Sequence, residues 1–172
     1  MGPYCFGACA ACASNLDYPG CTDPDALNFD AGATQEDGSC QYSVVFQVDA
    51  SELSPAPSTV YVAGSHQGWN PAGSPMNDTG DGLWVLQVTV TGSDPIQFRY
   101  LSSPDWNDAE GVPAACGVAN GLGGFNRSLA LEGALTTAPV VCFSSCSACD
   151  GSGGGDPGAV SYTHLRAHET QP

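Results

Sequence analysis

The nine residues Leu83-Trp-Val-Leu-Gln-Val-Thr-Val-Thr91 constrain this chain most. They carry no charge and are rich in β-branched types, and Gly92-Ser-Asp-Pro95 closes them with turn residues. They form the strongest strand signal in the sequence, and a lone strand has no stability of its own. Others of its kind flank it. Val44, Phe46 and Val48 alternate with Val45, Gln47 and Asp49. Val60 and Val62 alternate with Tyr61 and Ala63 over residues 59–64, and Ile96-Gln-Phe-Arg-Tyr-Leu101 follows the turn. Phe125 to Leu131 and Val140 to Phe143 supply the last two. A Pro/Ser loop over 51–58 and polar loops over 65–82 and 102–124 separate them. Many short strands, frequent turn signals and no convincing helical stretch predict an all-β antiparallel β-sandwich over residues 41–149. Trp84, in mid-strand, is expected in its core.

Charge narrows the partners. The net charge is −15, Lys is absent, and the Arg are Arg99, Arg127 and Arg166. Such a chain has no electrostatic footprint for nucleic acid or an anionic membrane. No apolar run approaches the roughly 18 residues that span a bilayer, so no membrane insertion is expected. Nine Cys point to an oxidising compartment, secreted or at the cell surface. Residues 1–20 nevertheless show neither a basic nor an apolar signal-peptide region. The expectation is a fragment of a longer protein, with further modules of the same chain as its neighbours.

An internal repeat supports that expectation. Residues 5–12 and 142–149 both read C-F-x-x-C-x-A-C, 137 residues apart. Residues 1–19 are therefore read as the remnant of an upstream module and its linker. Each cluster has three thiols and no adjacent His, one ligand short of a closed zinc site, so disulfides are favoured over zinc. Residues 150–160 are a Gly-rich flexible linker. Residues 161–172 change composition abruptly; they resemble the translated adapter sequence found in metagenomic reading frames and are set apart from fold and function.

Residues 20–40 form a small unit that opens and closes with Cys21 and Cys40. Leu27 and Phe29 are its large apolar groups, too few for a core, so a Cys21–Cys40 bridge is expected to hold it. Closing such a loop is worth about 3 kcal/mol in the chain-entropy picture. Asp23, Asp25, Asp30, Glu36 and Asp37 are candidate calcium ligands, although their spacing is not that of an EF-hand. The same acids are equally suited to capping turns. The stretch C-T-D-P…D-G-S-C resembles short repeats that sit between modules of large secreted proteins of marine bacteria.

Thr59-Val-Tyr-Val-Ala-Gly-Ser-His-Gln-Gly-Trp-Asn70 runs from a strand into a Gly-flanked indole. Trp69 is either a core residue or a stacking surface. This stretch, with D-G-L-W-V-L-Q-V-T-V, I-Q-F-R-Y, D-W and V-P-A-A-C-G downstream, resembles the starch- and glycogen-binding modules of carbohydrate-binding families 20 and 48 over residues 42–132. The resemblance implies an immunoglobulin-like sandwich and an α-glucan surface. Position by position it implies carbohydrate contacts at Trp69, Arg99 and Trp106, with Asn126 matching an Asn of the glycogen-binding group. The chain departs from those modules at His66 and Gln67, where Phe and Asn are usual, in having Arg for Lys at 99, and in its C-terminal Cys cluster.

Stacking on Trp69 and Trp106, with Arg99 and Asn126 at the sugar edges, is a physically complete way to hold a polysaccharide. Catalysis is not expected. His66 is the only His before residue 161, and nothing marks a nucleophile or a pair of carboxylates across a cleft. The competing expectation is a structural spacer or adhesin module of a surface fibre that binds no sugar. The disulfides expected are Cys21–Cys40, Cys116–Cys142, Cys146–Cys149 and Cys9–Cys12, with Cys5 unpaired. Some starch-binding modules imply Cys40–Cys116 instead.

Overall fold

The computed structural model describes residues 17–92 and 95–150. Cys5, Cys9 and Cys12, residues 151–160 of the linker, and the tail lie outside these residues. Two four-stranded sheets face each other, and the all-β sandwich holds. Sheet one has the order β10-β3-β6-β5: β3 is Gln41–Asp49, β5 Asn77–Asp78, β6 Leu83–Thr91 and β10 Leu135–Thr137. Sheet two has the order β4-β7-β9-β8: β4 is Tyr61–Gly64, β7 Ile96–Leu101, β8 Val118–Ala119 and β9 Phe125–Leu129. A small parallel pair, β1 (Pro19–Gly20) and β2 (Gln35–Glu36), precedes them. Two short 3-10 helices, Ser65–Gln67 and Trp106–Asp108, interrupt the loops.

The period-two pattern sets the sheet faces. β3 and β6 pair antiparallel along all nine residues, from Gln41↔Thr91 to Asp49↔Leu83. The pairs Tyr42↔Val90, Val44↔Val88, Phe46↔Leu86 and Val48↔Trp84 point inward. Ile96, Phe98 and Tyr100 of β7 meet them from the other sheet, and Phe98 stacks edge-on against both Phe46 and Tyr100. Burying a side chain of this size is worth about 1.5–3 kcal/mol. The same alternation turns Gln97 and Arg99 to the outer face of sheet two, where both are half-buried.

Cys21 and Cys40 are bonded, as expected, with sulfurs 2.03 Å apart. The small unit is joined to the sandwich: Cys21, Ala26 and Cys40 belong to the same apolar cluster as Val44 and Phe46. The Leu27 amide donates to the Gln41 carbonyl at 2.8 Å, and the Tyr42 hydroxyl donates to Asp23 Oδ2 at 2.5 Å.

Two expectations are corrected. Residues 140–143 form no strand; they touch sheet one through a single parallel bridge, Asp49↔Cys142. The last strand is β10, parallel to β3. Beyond it Ser144 takes a left-handed φ of 64° and the chain curls into a cap. The C-terminal disulfides also differ from the expected pairs: they are Cys116–Cys146 and Cys142–Cys149. The curl brings Cys149 back to Cys142, closing a ring around Cys146, and leaves Cys146 facing the 111–124 loop and Cys116. Cys40 lies with Cys21, not with Cys116.

Candidate functional site: an aromatic cleft on sheet two

Trp69 is placed by a tightly stapled loop. β4 ends at Gly64, where a Cβ would collide with the Gln97 carbonyl and lie 2.7 Å from Phe98 Cβ, so the strand crosses β7 only as glycine. The Ser65–Gln67 turn follows, then Gly68 and Trp69 both take left-handed conformations, with φ of 72° and 62°. A Trp held at positive φ needs support from its surroundings. Its amide donates to the Gly64 carbonyl at 2.9 Å. Gln67 clamps the next residue: Asn70 N donates to Gln67 Oε1, and Gln67 Nε2 donates to the Asn70 carbonyl, each at 2.6 Å. The indole stands half-buried on the rim of the sheet.

Trp106 is fixed from the other side. It opens the second 3-10 turn, whose cap Asp105 accepts from the Asn107 amide at 2.8 Å. Ser103 Oγ donates to Asp108 Oδ2 at 2.6 Å, and the Ala109 amide closes the turn onto the Trp106 carbonyl. The Trp106 side chain is exposed, and its ring lies 6.2 Å from that of Trp69, tilted by 40°. This is the spacing of a favourable aromatic pair.

Between and below them is a cleft of about 500 Å³ lined by Trp69, Arg99, Trp106, Asn120, Leu122 and Asn126. The structure thus brings the four residues singled out in the sequence to one place. Asn126 is buried, and its Nδ2 donates to Gln97 Oε1 at 3.0 Å. Arg99 Nη2 donates to the Glu110 carbonyl, while its Nε is buried with no protein partner among the described residues. The cleft therefore has two indole faces, a guanidinium and amide groups, but no carboxylate. Apolar faces beside hydrogen-bonding edges are the chemistry that this lining presents.

Two cleft residues were missed in the sequence. Asn120 pins the turn into β9, its Oδ1 accepting from the Leu122 amide at 2.9 Å and the Gly124 amide at 3.0 Å. That turn projects Leu122, 91% exposed, beside the indoles. Glu110 was also missed. It is buried and takes a two-pronged ion pair from Arg127, Nε to Oε1 at 2.8 Å and Nη2 to Oε2 at 2.6 Å. Arg127 also donates to the Ser145 carbonyl at 2.9 Å and sits 5.5 Å from the Tyr100 ring. Burial foremost, and then the Glu110 charge, push the Tyr100 hydroxyl's pKa up. One buried pair thus ties β7, β9 and the C-terminal cap behind the cleft.

His66 stands outside the cleft. Its ring stacks on Phe46 at 5.0 Å and both nitrogens are buried without a protein partner among the described residues. Burial lowers its pKa to about 4, so it is neutral at physiological pH.

The acids of residues 20–40 sit in turns. Asp23 Oδ1 accepts from the Asp25 amide, Asp30 Oδ1 from the Gly32 amide, Glu36 Oε1 from the Gly38 amide and Asp37 Oδ1 from the Ser39 amide, all at 2.8–2.9 Å. The Tyr42 hydroxyl, above all, holds Asp23 below the usual carboxylate range; backbone amides, Thr22 first, do so for Glu36, and Ser39 does so for Asp37. In return Asp23 pushes Tyr42 up to about 12. No three of these five carboxylates converge. Among the described residues, metal-ligating side chains gather at Cys21–Glu36–Cys40 and Glu52–Cys142–Cys149, where the sulfurs are already in disulfides.

No protein family's sequence profile matches the chain, and none of the curated proteins matches it. Several solved structures align with part of it. A glycoside hydrolase family 15 glucoamylase from Hypocrea jecorina aligns at a TM-score of 0.42 and 16% identity, over 61% of this chain and 17% of that one. The gamma-CGTase of alkalophilic Bacillus clarkii aligns at 0.42 and 24%, over 63% of this chain and 16% of that one. The Hormoconis resinae glucoamylase aligns at 0.43 and 25%, over 73% and 21%. The chain spans about a fifth of the length of these proteins. Among the described residues, no helix is long and apolar enough to cross a membrane.

Proposed function

We propose that this chain is a non-catalytic, extracellular carbohydrate-binding module that holds a neutral α-glucan by stacking sugar rings on Trp69 and Trp106. The observation that carries this reading is the convergence of the two indoles, 6.2 Å apart, with Arg99 and Asn126 on one cleft. The rings supply apolar faces; Arg99, Asn126 and Asn120 supply donors and acceptors for hydroxyls; Leu122 adds an apolar edge. A net charge of −15 makes polyanionic glycans poor partners, which favours an uncharged one. The three disulfides suit the oxidising setting in which such polymers are met.

Titration with maltoheptaose, followed by tryptophan fluorescence, tests the assignment. Saturable binding in the micromolar to millimolar range is expected, and a Trp69→Ala, Trp106→Ala double variant should abolish it. An unresponsive wild-type protein, or a double variant that binds equally well, would leave the module as a spacer with no sugar ligand.

A further inference from the structure

We infer that the glucan site continues past Trp69 into a second cleft on the other side of the indole, so that one sugar chain passes over this side chain and occupies both. The inference rests on the α-glucan reading above and adds the length of chain that the site takes.

Trp69 lines both clefts. The second, of about 450 Å³, is walled by Ser65, His66, Thr91, Gln97 and Leu131 together with Trp69. Each volume lies within the range of a small-ligand site. Their floors are joined by one hydrogen bond: Asn126 in the first donates to Gln97 in the second at 3.0 Å. That bond occupies Gln97 Oε1 and leaves its Nε2 hydrogens for an oxygen in the second cleft. The lining suits the same chemistry as the first. Leu131 and the indole offer apolar surface; Ser65, Thr91 and Gln97 offer hydroxyl and amide groups. Among the described residues that line it, none is acidic, Arg or Lys. An uncharged sugar chain leaving the first cleft needs no counter-ion there.

The backbone that carries the ridge between the clefts is pinned. The Trp69 amide bonds to the Gly64 carbonyl and the Gln67 side chain clamps the Asn70 backbone, so the indole rises from an anchored turn between the two clefts. A short oligosaccharide fills the first cleft alone, and a longer one reaches across the ridge.

Calorimetry on the intact chain with maltotriose and maltoheptaose tests this. Thr91 is exposed on β6 and lines the second cleft but not the first, so Thr91→Trp should fill the second and spare the first. The wild type is expected to bind maltoheptaose about tenfold more tightly than maltotriose. Thr91→Trp should bind maltotriose as the wild type does and lose most of the gain. In the unaltered protein, the Leu131 methyl signals in NMR should shift with maltoheptaose and stay in place with maltotriose, because Leu131 lines the second cleft and not the first. If Thr91→Trp keeps the whole gain, or the Leu131 signals ignore the longer sugar, the second cleft is not part of the site and the first stands. If neither sugar binds the wild type, the α-glucan reading fails and this inference fails with it.

Discussion

Replacing Glu110 by Ala is the most severe test of the architecture behind the cleft. Its carboxylate accepts from Arg127 twice, at 2.8 and 2.6 Å, and from the amides of Tyr100 at 2.9 Å and Ser144 at 3.3 Å. Its side chain has no exposure and that of Arg127 only 8%. Removing one partner of such a pair strands a buried charge, which costs about 3–5 kcal/mol. The Tyr100 amide, also buried, loses its acceptor and adds about 1 kcal/mol. The expected loss is therefore about 4–6 kcal/mol, against a total stability of about 5–15 kcal/mol for a domain of this kind. Arg127 keeps the Ser145 carbonyl and the Tyr100 ring, which places the value toward the lower end. Urea unfolding with the disulfides intact, followed by tryptophan fluorescence, measures it. A Glu110→Leu, Arg127→Met double variant, with both charges gone, should recover most of the loss. A Glu110→Ala cost below about 1 kcal/mol, or a double variant as unstable as the single one, would show that the buried charge does not organise this region.

Three further outcomes are expected. Leu122→Ala should weaken maltoheptaose binding several-fold and leave the unfolding midpoint unchanged, because the side chain is 91% exposed; calorimetry beside thermal unfolding reads both. Among the six described Cys, mild dithiol treatment followed by alkylation and mass mapping should label Cys116 and Cys146 first, since both are exposed while Cys21, Cys40 and Cys142 are buried. A Cys116→Ser, Cys146→Ser variant should lose about 3–4 kcal/mol in urea unfolding. His66 is depressed in the folded state from 6.5 to about 4, so the unfolded chain binds its proton more readily; stability should be full above about pH 6.5 and fall as pH drops toward 4. The lowered Asp23, Glu36 and Asp37 act in the same direction at lower pH, each losing its contribution below its usual carboxylate range. In thermal unfolding, His66→Phe should flatten the window from 6.5 to 4 alone, and an unchanged slope there would refute the assignment.

The strands that carry the fold were readable because period and punctuation agree. Leu83–Thr91 and Ile96–Leu101 are the observed bounds of β6 and β7, set by alternation and by the turn residues that separate them. Val140–Phe143 looked like a strand because its residues favour strands, but the cap ring and Ser144 turn it away and the plainer Leu-Thr-Thr of β10 takes the edge. Propensity lost there to a covalent constraint. The Cys21–Cys40 bridge was legible from the small unit it closes, but the partners of Cys116, Cys142, Cys146 and Cys149 were not, because their pairing depends on where the curled cap aims each sulfur, which spacing does not encode. Trp69, Arg99, Trp106 and Asn126 could be singled out by motif order. Leu122 could not, since in G-L-G-G it reads as loop. Glu110 was one acid among many until the fold set Arg127 against it.

The parallel pairing of β10 with β3 has a mechanical consequence. The chain enters the sandwich at Gln41 and runs out alongside the same strand in the same direction, through Ala138 to Cys142. Tension applied at the two ends would pull β3 and the exit segment past each other lengthwise. The bonds from Ser43 N to Ala134 O, Ala138 N to Val45 O, Asp49 N to Val141 O and Phe143 N to Asp49 O would then resist together, where a hairpin peeled from its end gives them up one at a time. Strung in series along a fibre or tethered to a polymer, a module wired this way would yield abruptly and at high force.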